Sequence, residues 1–150
     1  MSLEQTARAA ELDLDVVRFE ASDLAKQAIE GGQPLRPFAI TLSGESNLLQ
    51  HEVSEDAGEG SATAVEILAY GVRAGITPTP RAVALVRGVT VRNLLNDGET
   101  FAICIALEHA SGLSKRYFLP YRGAPGRIEW DDPREVSGIP WFFASAEAKL

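Results

Sequence analysis

The chain has 150 residues, 45% hydrophobic and 23% charged, an ordinary globular composition at a length that most often makes one domain with its own core. Its net charge of −7 disfavours long-range steering toward nucleic acid or another polyanion. No run approaches the roughly 18 apolar residues of a membrane-spanning helix, and the lone Cys104 can form no internal disulfide, as expected of a cytoplasmic protein.

The polar, acidic start, MSLEQTARAAELDLD, lacks the charged and apolar regions of a signal peptide. Residues 1–20 read two ways, and a mobile start is one expectation for them. Glu11–Val16 alternates like a strand, while Leu12, Val16 and Phe19 fall at helical spacing. Ser22 suits the N-cap of a helix over Asp23–Glu30, with Asp23 at the positive helix end and Gly31-Gly32 as terminator. Two strands, Pro37–Ser43 and Asn47–Val53, are expected around the turn Ser43–Ser46.

An acidic loop, SEDAGEGSA, leads to Thr63-Ala-Val-Glu66, a capping-box pattern that predicts a helix over residues 63–74. Val65, Leu68, Ala69 and Val72 would form its core stripe, Glu66, Tyr70 and Arg73 its narrow polar one. From Arg81 the pattern turns to β. Ala82–Leu95 carries Gly88 as an expected bulge, Asn96-Asp97-Gly98 is a turn, and Phe101–His109 and Leu113–Tyr121 complete a meander.

Residues 124–150 are expected to be an extension packed on the sheet or on a partner, extended at first and ending in a short helix, Trp141–Lys149, with Pro140 at its first turn. The element order, α-β-β-α-β-β-β-(α), predicts a single α+β domain. Its natural form is a two-layer sandwich, a mainly antiparallel sheet of about five strands under two or three helices.

The stretch SGLSKRYFLPYRG (111–123) combines three cations with three rings, which could suit single-stranded nucleic acid or one arm of a hairpin. A three-residue loop with Gly112 in a left-handed conformation would pair His109 with Leu113. Leu107 then faces Lys115, Ile105 faces Tyr117, Ile103 faces Leu119 and Phe101 faces Tyr121. Tyr117 and Tyr121 lie on the apolar face, while Arg116 and Arg122 point away. Rings and cations would have to share an exposed face to hold a nucleic acid strand, so the hairpin is favoured.

No chemical motif stands out. Gly58-Glu-Gly-Ser-Ala-Thr63 approaches a dinucleotide fingerprint, but Thr63 replaces the third glycine and Glu52, Glu55, Asp56 and Glu59 would repel a pyrophosphate. HEVSEDAGE has neither zinc nor calcium spacing. Cys104 and His109 stand five residues apart on one strand, hence on opposite faces and roughly 16 Å apart. Cys104 is then a small buried apolar residue, and a His51–Cys104 pairing is left open by the sequence. No catalytic, cofactor or metal residue is assigned.

Trp141, Phe142 and Phe143 point in three directions on a helix, so a ring should lie off the core. With Tyr70 and Arg73 on the wide apolar helix 63–74, they form the expected partner interface. The leading expectation is a non-enzymatic interaction domain, an adaptor or regulatory subunit, homodimeric or bound to another protein. One alternative is a small enzyme or ligand-binding domain in which Tyr70, Arg73, His51 and Tyr121 converge. Another is an acidic inhibitor of a basic enzyme, since residues 1–60 hold twelve acids against four basic groups.

Overall fold

The computed structural model describes residues 2–52, 80–93 and 98–138. The expected helices 63–74 and 141–149, the acidic loop from residue 53 and the turn residues 94–97 lie outside that range. The described elements form an α+β fold, one long helix packed on an antiparallel sheet.

Helix α1 (Leu3–Glu30) absorbs the ambiguous N-terminus, so it begins 20 residues earlier than the Ser22 cap implied. Ser2 is the true N-cap. Its hydroxyl accepts from the Gln5 amide, and the Gln5 side chain accepts from the Ser2 amide, a reciprocal capping box. No glycine or proline interrupts residues 3–30, and Ser22 sits inside the helix.

The far end closes where expected. Gly32 adopts φ +76°, its amide donates to the Ile29 carbonyl, and Gln33 donates to the Ala28 carbonyl. That double closure is a Schellman motif, whose left-handed residue is easiest for glycine.

The sheet runs β2-β1-β3-β4-β5, all antiparallel, from β1 (Phe38–Leu42), β2 (Leu48–Glu52), β3 (Ala82–Asn93), β4 (Gly98–His109) and β5 (Ser114–Arg122). Two short strands not foreseen as such, β6 (Glu129–Trp130) and β7 (Arg134–Ser137), both pair with β5 and bring the total to seven. Gly88 is no bulge. It pairs in register with Ile103 inside an unbroken β3–β4 ladder.

The β4–β5 hairpin has the register its loop length demands. Leu107 faces Lys115, Ile105 faces Tyr117, Ile103 faces Leu119, and Phe101 faces Tyr121. Gly112 takes φ +105°, and the His109 amide donates to the Leu113 carbonyl.

Under α1 the sheet presents Phe38, Ile40, Leu42, Ala82, Ala84, Val86, Ile103, Ile105, Leu107 and Leu119, all buried. The helix answers with Ala10, Leu14, Val17, Ala21, Ala25 and Ile29, one stripe at helical spacing. Alanines on both surfaces let helix and sheet approach closely. The opposite face of the central strands is buried too, through Ala39, Thr41, Val83, Leu85, Ala102, Cys104 and Glu108. This explains why β1 and the start of β3 read as nearly continuous apolar runs rather than as alternation.

Leu119 is 3% exposed and Leu49 is 53% exposed. Leu119→Ala should therefore cost about 2–5 kcal/mol in urea unfolding, while Leu49→Ala should stay within about 0.5 kcal/mol of wild type. Equal midpoint shifts for the two would contradict this placement of β5.

Candidate functional site

A polar cluster forms where α1 crosses the start of β3 and the end of β4. Asp13, one turn into the covered part of α1, takes a two-pronged ion pair from Arg81. Nε donates to Oδ2 and Nη2 to Oδ1, each at 3.2 Å. The remaining Arg81 donors reach the β1–β2 turn, Nη1 to the Gly44 carbonyl and Nη2 to the Ser46 hydroxyl. The Arg81 backbone donates to the Leu42 carbonyl and accepts from the Ala110 amide. One residue thus ties the helix to two turns.

His109 adds a third tether, with Nε2 at 2.8 Å from Asp13 Oδ2. The Ser111 backbone amide donates to Nδ1 at 3.0 Å, and an amide can only donate. Nδ1 is therefore the acceptor, and the ring proton resides on Nε2 and is donated to Asp13. The Ser111 hydroxyl lies 2.9 Å from the same Nδ1.

Serine, histidine and aspartate in hydrogen-bonded series invite comparison with a nucleophilic triad. The wiring is that of a latch. The Ala110, Ser111 and Gly112 amides donate to the Arg81 carbonyl, His109 Nδ1 and the His109 carbonyl. These loop amides are thus all engaged, so the turn itself offers no donor pair to a developing oxyanion.

Along the rest of α1, charged side chains bind it to β5 and its neighbours. Lys115 Nζ lies 2.6 Å from Glu11 and 3.5 Å from Glu135. The Glu11 hydrogen bond, with help from the charges of Glu135 and Glu11, holds the Lys115 ammonium above its ordinary pKa against the opposing effect of burial. Arg18 lies over the Tyr117 ring at 5.0 Å and Lys26 over Trp130 at 5.3 Å. The Trp130 indole N–H donates to Glu30 at 2.9 Å. Arg122 pairs with Glu129 and Asp131. Two cations of the 111–123 stretch are thus already engaged by carboxylates.

The outward face of α1 is unlike the rest of the surface. Leu12 is 58% exposed, Val16 45% and Phe19 71%. At about 100° per residue these three lie roughly opposite Leu14 and Ala21, so the helix has apolar stripes on both sides. The sequence singled out the same three residues, but their spacing does not mark the core face. Leu14, Val17 and the alanines do that.

The other expected site residues fall as follows. Trp141, Phe142, Phe143, Tyr70 and Arg73 lie outside the described residues. His51 pairs with Ala39 on the face away from α1, whereas Tyr121 belongs to the α1 face, so these two do not converge. His51 Nε2 lies 3.0 Å from Thr41 Oγ1, and burial lowers its pKa. Its strand is separated from that of Cys104 by β1 and β3, roughly 14 Å at ordinary strand spacing, so the open His51–Cys104 pairing does not form. Cys104 is buried, and on the opposite face from His109.

Among the described residues, no group of three His, Cys, Asp or Glu side chains could hold a metal ion, and no helix is long and apolar enough to cross a membrane. An open groove of about 700 Å³ runs beside the C-terminal half of α1, between Leu24, Ala28, the 33–37 connection, Phe38, Gln50 and Glu52. Comparison of the chain with protein-family models, with curated proteins and with solved structures finds no match.

The Asp13 cluster was invisible in linear order, because its members are separated by 68 and 96 positions. Ser2-Leu-Glu-Gln5 was the available signal. As a capping box it starts the helix at Leu3, which puts Asp13 on the flank facing β3 and β4.

Asp13→Ala should destabilise the fold by about 1–3 kcal/mol, since it strips Arg81 and His109 of a shared, mostly buried acceptor. A double-mutant cycle with Arg81→Ala should give a coupling of about 0.5–3 kcal/mol, and additive losses would contradict the latch. The Lys115 pairing stabilises fully below the ordinary lysine value of 10.5 and is lost as pH rises through the higher folded-state value. The stability gap between wild type and Lys115→Met should be constant near neutral pH and shrink as pH rises above the ordinary lysine value of 10.5. A gap that widens with pH would contradict the assignment.

Proposed function

We propose that the chain is a non-enzymatic protein-interaction domain, an adaptor or regulatory subunit, that works as a homodimer. The observation that carries the reading is the exposed apolar stripe Leu12, Val16 and Phe19 on α1. Single exposed apolar residues need no explanation, but three aligned on one helix face, with a phenylalanine nearly three-quarters exposed, form a contiguous patch of the kind that marks an interaction surface.

The latch adds to this support. Asp13 lies next to Leu12 and anchors the helix from its inner side, so the outer stripe is carried on a fixed support rather than on a loose arm. A rigid apolar helix face is a common means of protein recognition.

Sedimentation of the full chain at micromolar concentration should give a dimer that dissociates on dilution. A species that remains monomeric up to about 100 μM, where even a weak dimer of roughly −6 kcal/mol would be populated, would overturn the homodimeric reading.

A further inference from the structure

Resting on that homodimeric reading, we infer that the dimer forms through α1, with the outer faces of two α1 helices packed antiparallel about a twofold axis beside Val16. The occupant of the exposed stripe is a second copy of this chain.

The residues of the outer face are Arg8, Leu12, Val16, Phe19 and Asp23, and all are exposed. An antiparallel helix pair about a twofold axis places residue i opposite a residue j at a constant sum of i and j. With Val16 beside the axis, Leu12 falls opposite the partner's Phe19, and Arg8 opposite the partner's Asp23. The same register therefore brings Leu12 to Phe19 on either side of the axis and cation to carboxylate at both ends, while Val16 falls opposite the partner's Asp15.

A parallel arrangement does the reverse, setting Arg8 against its own copy and Asp23 against its own copy, four like charges in two repelling pairs. The charges thus select the antiparallel alternative, as flanking charges do in helix pairing generally. Asp23 is held for this contact by the Gln27 amide, which donates to it at 3.0 Å.

Among the described residues, geometry permits the approach. Residues 2–9 are all exposed, and Ala10 is the first buried residue of α1, so the first two turns project past the sheet. Arg8 lies on that projection and can reach along a partner helix without collision between the two sheets, which lie on the far sides of their helices. The small Ala9 beside it leaves room for the partner's backbone.

The test uses the full chain. Phe19→Asp places a charge on a residue that is 71% exposed, so its melting temperature under dilute, monomeric conditions should match that of wild type. It should sediment as a monomer where wild type is dimeric. Arg8→Glu and Asp23→Arg each convert both end pairs to repulsion and should each raise the dimer dissociation constant about tenfold or more. The double variant Arg8→Glu/Asp23→Arg restores opposite charges across the axis and should return to within about threefold of wild type.

A wild-type dimer that survives Phe19→Asp unchanged would overturn the α1 interface while leaving the homodimeric reading intact. A wild type that never dimerises would overturn both. Loss of the dimer in Phe19→Asp without rescue in the charge-swapped double variant would overturn the antiparallel register.

Discussion

The seating of α1 on the sheet governs everything else in this molecule. A 28-residue helix with apolar residues on two sides has two faces it could bury, and the choice decides which residues become core and which become surface. Two constraints agree on the choice. The inner stripe is rich in alanine and matches the alanines of β3, which allows the close approach that maximises dispersion contacts and removes apolar surface from water. Asp13 then fixes the helix along and about its axis, because its two oxygens meet Arg81 and His109 only in one rotational setting. With Asp13 held, Leu12 and Val16 must point outward.

Arg81 is the residue through which that setting spreads. Its guanidinium spans α1 and the β1–β2 turn, while its backbone links β1 to the β4–β5 turn. Five donors in a rigid planar fork suit this role, and a lysine in its place would lose the paired geometry. The β1–β2 turn gains from the same contact, since it contains Ser46 at φ +66°, a left-handed conformation uncommon for a residue with a side chain. The serine hydroxyl in that turn accepts from Arg81, so the strained residue is also a tethered one.

At the other end of α1 the fastening is of a different kind. Phe101, Tyr121 and Trp130 form a chain of ring contacts at 6.0 and 5.2 Å, with Lys26 over the indole and Glu30 accepting its N–H. Burial raises the Tyr121 pKa, as befits a phenol inside such a cluster. The helix is therefore held by charge and hydrogen bonds near Asp13 and by rings near Glu30, with alanine-on-alanine packing between. Of the rings in the 111–123 stretch, Tyr121 serves this packing and Tyr117 lies under Arg18, and Lys115 and Arg122 beside them are engaged by carboxylates.

The α+β class, the antiparallel meander and the whole β4–β5 register were legible in the sequence, because each depends on local rules. Loop length and Gly112 set the pairing, and period-two alternation set the faces. The end of α1 at Gly31-Gly32 was legible for the same reason, and its start would have been, from Ser2 and Gln5. Tertiary structure alone decided the rest. Spacing shows that Leu12, Val16 and Phe19 share a helix face with no means of telling it from the Leu14 face, because both are apolar and only the sheet's shape distinguishes them. Gly88 could have bulged or paired, and the unbroken β3–β4 ladder chose pairing. Asp13, Arg81 and His109 carry no motif, since ion pairs between distant segments depend on the fold that brings them together rather than on their distance along the chain.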